Sequence, residues 1–167
     1  MARGKDHLGS AVRLVEYINN INESMLLNHK KATFKIVSQT LKFHILARTP
    51  CDQDTFKNAI DYLYKVFHEL AQKENQYNFP ETVAKAYNDL EAIKAIKNLR
   101  NFYFHVQSKE TETDKVNEKF KNASRIFSRL CGKKEPSTEA DYEKVRTSLI
   151  TELAESLKKI HDMLKAQ

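Results

Sequence analysis

The chain has 167 residues, enough for one complete domain and marginal for two. Three glycines and three prolines leave little material for an all-β fold, and 41% hydrophobic with 30% charged residues is the balance of a folded chain, not a disordered one. A formal charge of +6 permits phosphate contacts without requiring them, and no basic run is dense enough to act as a binding tail.

No apolar run approaches the roughly 18 residues of a membrane span, and the N-terminus lacks the apolar core of a signal peptide. No membrane partner is therefore expected. Cys51 and Cys131 form neither a disulfide framework nor a zinc motif, so a reducing, cytoplasmic compartment is the expectation.

Residues 1–9 are basic and glycine-containing, and are expected to fray. Ser10 can cap a first helix carrying Val12, Val15, Ile18, Ile21 and Leu26 at helical spacing. The apolar phase breaks near His29, so a turn at 28–30 should separate a second helix with Phe34, Val37, Leu41, Ile45 and Leu46, stopped at Thr49–Pro50. Asp52 or Asp54 caps a third, with Phe56, Ile60, Leu63, Val66, Phe67 and Leu70 on one face, fading into the polar loop QKENQYN. Pro80–Glu81 opens a fourth through Val83, Tyr87, Leu90, Ile93, Ile96 and Leu99 to Val106. At about 27 residues that segment is long for a globular helix, and a kink or loosening near its end is expected.

After the polar loop 107–113, Thr113 or Asp114 starts a fifth helix with Val116, Phe120, Ala123, Ile126, Phe127 and Leu130. A basic hinge leads to Ser137, the expected cap of a last helix with Val145, Leu149, Leu153, Leu157, Ile160 and Leu164. That stripe is narrow, close to a heptad seam, and could dock on the domain or pair with a partner protein. The fold class expected is all-α, a bundle of about five to six helices without sheet.

Chemistry concentrates at the end of the fourth helix, in Arg100, Asn101 and His105. Asn101 and His105, four apart, share a helix face, while Arg100 lies about 140° round from His105 in an undistorted helix. A guanidinium can hold two phosphate oxygens, an imidazole can move a proton near neutral pH, and the amide can orient the ring. Lys97 and Lys109 are candidate phosphate contacts, and Tyr103 is the candidate ring for a base to stack on. Arg and His near a helix C-terminus also complement its dipole, so an ordinary helix end competes with this reading.

Other candidates are weaker. His44 and His68 read as packing histidines, and Tyr62, Tyr64, Phe67 and Tyr87 as core at helical spacing. His7, His29 and His161 have no partner nameable from sequence. Asp61, Glu69 and Glu91 form no ExxH constellation, so no metal site and no cofactor are expected.

The run Arg100-Asn101-Phe102-Tyr103-Phe104-His105 resembles the signature of the HEPN domain family (higher eukaryotes and prokaryotes nucleotide-binding): an Arg, a polar residue, and a His four to six residues after the Arg. The order of elements is similar over roughly residues 10–131, with the helix at 137–167 outside the resemblance or added to it. The resemblance implies an all-α HEPN-like bundle that forms a homodimer with motifs facing across the axis, and a metal-independent endoribonuclease used in defence. It implies His105 as general acid/base, Arg100 as phosphate clamp and Asn101 as orienting residue, with RNA or a nucleotide as ligand. Lys94, Lys97 and Lys109 are offset by Glu91, Glu110 and Glu112, so a non-catalytic module binding RNA, a nucleotide or a protein partner stands beside the nuclease.

Overall fold

A computed structural model describes residues 3–35, 51–105 and 113–167. The second expected helix lies outside the described residues from position 36 onward; its expected start, residues 31–35 with Phe34, is not helical but a bend. Six α-helices are described: α1 (Arg3–His29), α2 (Gln53–Tyr64), α3 (Glu81–Asn88), α4 (Glu91–His105), α5 (Thr113–Cys131) and α6 (Glu139–Lys165). They build an all-α bundle, with one small departure between α2 and α3.

The longest seam joins α1 to α6. On α1 the buried residues are Ala11, Leu14, Ile18, Ile21 and Met25, alternating three and four apart as in a coiled-coil seam. Ile18 and Ile21 are buried as expected, but Val12 and Leu26 are exposed and Val15 is half-buried, with Ala11, Leu14 and Met25 completing the stripe instead. On α6, Val145, Leu149, Leu153, Leu157, Ile160 and Leu164 are all buried, widened by Tyr142, Ile150 and Ala154. Thr151 Oγ1 is hydrogen-bonded with Ser10 Oγ at 3.0 Å, and the Tyr17 ring lies 6.2 Å from the His161 ring. Both contacts advance in the same direction along both helices, so α1 and α6 run parallel. Ser10 therefore does not cap α1. The helix begins at Arg3, and the buried Ser10 hydroxyl meets α6.

The start of α6 is set one residue later than the sequence suggested. Thr138 is the cap, accepting from Asp141 N, while the Asp141 carboxylate accepts from the backbone of Thr138 and Ser137 and from Lys133 Nζ at 2.8 Å. Asp141, not Ala140, is therefore the residue at the third helical position.

α1 ends at His29, followed by Lys30 at φ 56. Asn22 then holds the returning chain: its side chain donates to Phe34 O and accepts from Phe34 N, both at 2.8 Å. The Phe34 ring thereby enters a cluster with Phe67, Phe79 and Tyr87. α2 passes directly into a π-helical turn, Lys65–Glu69, closed by Leu70 N donating to Lys65 O. This wider turn buries Val66, Phe67 and His68 in succession.

Where a polar loop was expected, Gln72–Lys73 pairs antiparallel with Gln76–Tyr77. The reversal uses Glu74 and Asn75, at φ 53 and 64, the two left-handed positions of a tight hairpin turn. The long helix expected from Pro80 to Val106 is interrupted at Asp89–Leu90, and the segment from Glu91 to His105 stays helical to its end. Successive steps of three residues from Tyr87 to Leu99 wind round a helix by about 60° each. The break resets the phase, so that Val83 and Tyr87 on α3 and Ile93, Ile96 and Leu99 on α4 all reach the core.

Because the two ends of the chain share the α1–α6 seam, a cavity there should loosen the whole bundle. Leu153→Ala is expected to cost about 2–5 kcal/mol, read as a lower urea midpoint in one cooperative transition followed by circular dichroism.

Candidate functional site

α4 lies between α2 and α5, and its buried stripe fixes which side chains remain outside. Arg100 points toward α2. Its Nε is 3.6 Å from Asp61 Oδ1, and its guanidinium lies over the Tyr64 ring at 4.7 Å and beside the Phe104 ring at 5.7 Å. Asp61 also pairs with Lys65 at 2.9 Å. With its side chain 24% exposed, Arg100 is held by one carboxylate and two rings while part of its surface still faces solvent.

Tyr64 is itself fixed from behind. Its ring stacks on His68, with centroids 4.8 Å apart and planes 23° apart. His68 Nε2 lies 3.0 Å from Ile93 O, and His68 Nδ1 lies 2.8 Å from Tyr77 Oη. A carbonyl oxygen can only accept, so Nε2 carries the proton and Nδ1 accepts from the tyrosine hydroxyl. Burial, the largest influence, pushes the His68 pKa below its ordinary value. His68 is thus a neutral packing histidine that ties α4 to the hairpin and supports the ring under Arg100.

Asn101 is half-buried, one position on from Arg100. His105 closes α4, and its side chain lies outside the described residues, as does Lys109. Since the helix is regular through position 105, positions 100 and 105 remain about 140° apart within one chain. Lys97 is exposed and lines a groove of about 300 Å³ together with His68, Asn88 and Asn98.

Tyr103 does not offer a face to a base. Its side chain is buried against Phe56, Phe102 and Phe127, and its hydroxyl is paired with that of Tyr142. Desolvation pushes its pKa far up. Position 103 continues the core stripe of Ile96 and Leu99, which the sequence pattern contained. The exposed ring is Phe104, 37% open to solvent, with Lys57 Nζ 6.0 Å from its centroid.

Asp61 and Tyr64, the residues that position Arg100, were not connected to it by sequence reasoning. Their only signal was placement three apart on α2, which becomes meaningful once α2 packs on α4. Among the described residues, no three His, Cys, Asp or Glu side chains cluster as metal ligands, and no helix is long and apolar enough to cross a membrane.

Comparison with known proteins gives no match, whether with protein-family models, curated proteins or solved structures. The fold and the α4 end therefore define an all-helical module that presents an oriented, part-exposed Arg100 beside Phe104.

The His68 network makes stability depend on pH with a definite sign. The unfolded chain takes up a proton near pH 6.5, before folded His68 does, so stability falls as pH drops through and below that value. His161, also lowered by burial, acts in the same direction. Urea midpoints should fall between about pH 7.5 and 5.5. His68→Gln should cost about 1–3 kcal/mol at the higher pH and flatten the slope; an unchanged slope would remove His68 as its source.

Proposed function

We propose that the chain is a HEPN-like, metal-independent endoribonuclease that handles RNA phosphate at the end of α4 with Arg100, Asn101 and His105. The observation that carries this reading is the pre-orientation of Arg100 by Asp61 and Tyr64 at the solvent edge, one residue before Asn101 and five before His105. An arginine fixed this way loses less side-chain entropy on meeting phosphate than one that is loose.

In the proposed reaction an RNA 2′-hydroxyl attacks the adjacent phosphorus. The bond from the 2′-oxygen to phosphorus forms, that from phosphorus to the 5′-oxygen breaks, and the products are a 2′,3′-cyclic phosphate and a 5′-hydroxyl. A His105 imidazole takes the proton from the attacking hydroxyl, and a second imidazole returns one to the leaving oxygen. Arg100 balances the extra negative charge on the phosphate oxygens, and Asn101 orients the ring. The separation of positions 100 and 105 around one helix supports a homodimer, in which a second copy supplies the facing groups. Phe104 replaces Tyr103 as the ring open to a base.

Asp61 supports a second reading. A carboxylate 3.6 Å from Arg100 Nε competes with phosphate for the same guanidinium and lowers the local positive charge. A module that binds RNA or a nucleotide without cleaving it fits that feature.

The two readings separate on incubation with single-stranded RNA and EDTA. The nuclease reading predicts cleavage that persists in the chelator and falls by about 10²–10⁴-fold in His105→Ala. Cleavage indifferent to that substitution overturns it. Absence of cleavage, with binding weakened by Arg100→Ala, selects the binding module.

A further inference from the structure

The groove beside Lys97 has a neighbour on the other side of α4. A second groove, of about 270 Å³, is lined by Glu91 of α4 and by Asn122, Arg125 and Arg129 of α5, and the two share Lys94 and Asn98. Lys94 and Asn98 thus form the saddle where the two grooves adjoin. In helix register Lys94, Asn98, Asn101 and position 105 fall at steps of four, three and four, on one stripe of α4 about 16 Å long. The saddle therefore belongs to the same ridge that ends at His105.

Carboxylates decide which cations remain available. Lys94 is shared between Asp89 at 3.7 Å and Glu91 at 3.8 Å, and Arg129 pairs with Glu152. Lys97 and Arg125 are exposed, and among the described residues no carboxylate pairs with either. One open cation thus stands in each groove, with the amides of Asn88, Asn98 and Asn122 between and around them.

Both grooves are open, mixed polar and apolar in lining, and at or below the small end of what encloses a compact ligand, which ordinarily needs an apolar-lined cavity of about 300–1,000 Å³. A chain lying across both, with phosphates at the two cations and its sugars or bases over the amides, matches their shape and lining. We infer that the Lys94–Asn98 saddle, with Lys97 on one side and Arg125 on the other, is a track for the backbone of single-stranded RNA leading to the end of α4. It rests on the reading of RNA as the ligand there, but not on cleavage.

The test measures binding of a fluorescein-labelled 2′-O-methyl oligouridine, which lacks the attacking hydroxyl, by anisotropy across a salt series. Lys97→Glu combined with Arg125→Glu should weaken binding at least tenfold at low salt. It should also flatten the slope of log affinity against log salt by about 1.4, from two lost contacts at about 0.7 each on a single strand. Lys158→Glu, on the α1–α6 side, should leave both unchanged, and circular dichroism checks that all variants fold. An unchanged slope in the double variant, or an equal loss in Lys158→Glu, overturns the track. Equal affinity for poly-glutamate through the same residues would make the partner an acidic protein and overturns it as well. Because the probe cannot be cleaved, failure of the nuclease reading leaves this measurement intact. Wild-type cleavage with unaltered binding by the double variant would remove the track alone.

Discussion

The parallel seam between α1 and α6 is the constraint that the rest of the bundle answers to. Both helices have 27 residues, about 40 Å of helix at 1.5 Å per residue. Two parallel helices from opposite ends of a chain cannot be joined by a short loop. Everything between them must carry the chain back the length of the seam, and α2 to α5 do this while packing as a second layer. Each buried Leu or Ile along the seam contributes about 1.5–3 kcal/mol, and closing it orders the most distant parts of the sequence against each other. The Thr138–Asp141 cap fixes where α6 begins and hence its register on α1.

Within the second layer, the π-helical turn links core packing to the candidate site. By burying three successive residues it places His68 where both ring nitrogens are satisfied and its face supports Tyr64. Tyr64 and Asp61 in turn hold Arg100. Part-exposed ion pairs contribute only about 0–1 kcal/mol, so the Asp61 contact matters chiefly for direction. The arrangement sets the angle of the guanidinium against the Asp61 carboxylate.

Much of this was legible in the sequence because helices declare themselves through apolar spacing. The α6 stripe and the core faces of α2 and α4 follow directly from residues such as Leu149, Ile60 and Ile96. Three features were hidden for separable reasons. On α1, Val12 and Leu26 are as apolar as the true seam residues, and only the partner helix selects Ala11, Leu14 and Met25. The hairpin turn uses Glu74, a residue type that seldom adopts a left-handed conformation, so it carried no turn signature. The interruption at Asp89–Leu90 was masked by an apolar pattern that continues across it. At the site, the polar run from Arg100 to His105 was visible, but the partners Asp61 and Tyr64 depend on tertiary packing. Tyr103 shows the reverse limit: in a run of three aromatic residues, only the fold decides which ring is core and which is open.

The proposed account makes one face of the molecule, the ridge of α4 with the adjoining face of α5, the place where RNA lies. Photocrosslinking a single-stranded RNA containing 4-thiouridine, followed by peptide mass spectrometry, tests that placement most directly. The account predicts adducts on α4 between Lys94 and His105 and on α5 near Arg125, lost on raising the salt. Adducts confined to α1 or α6, or none at low salt, would contradict it.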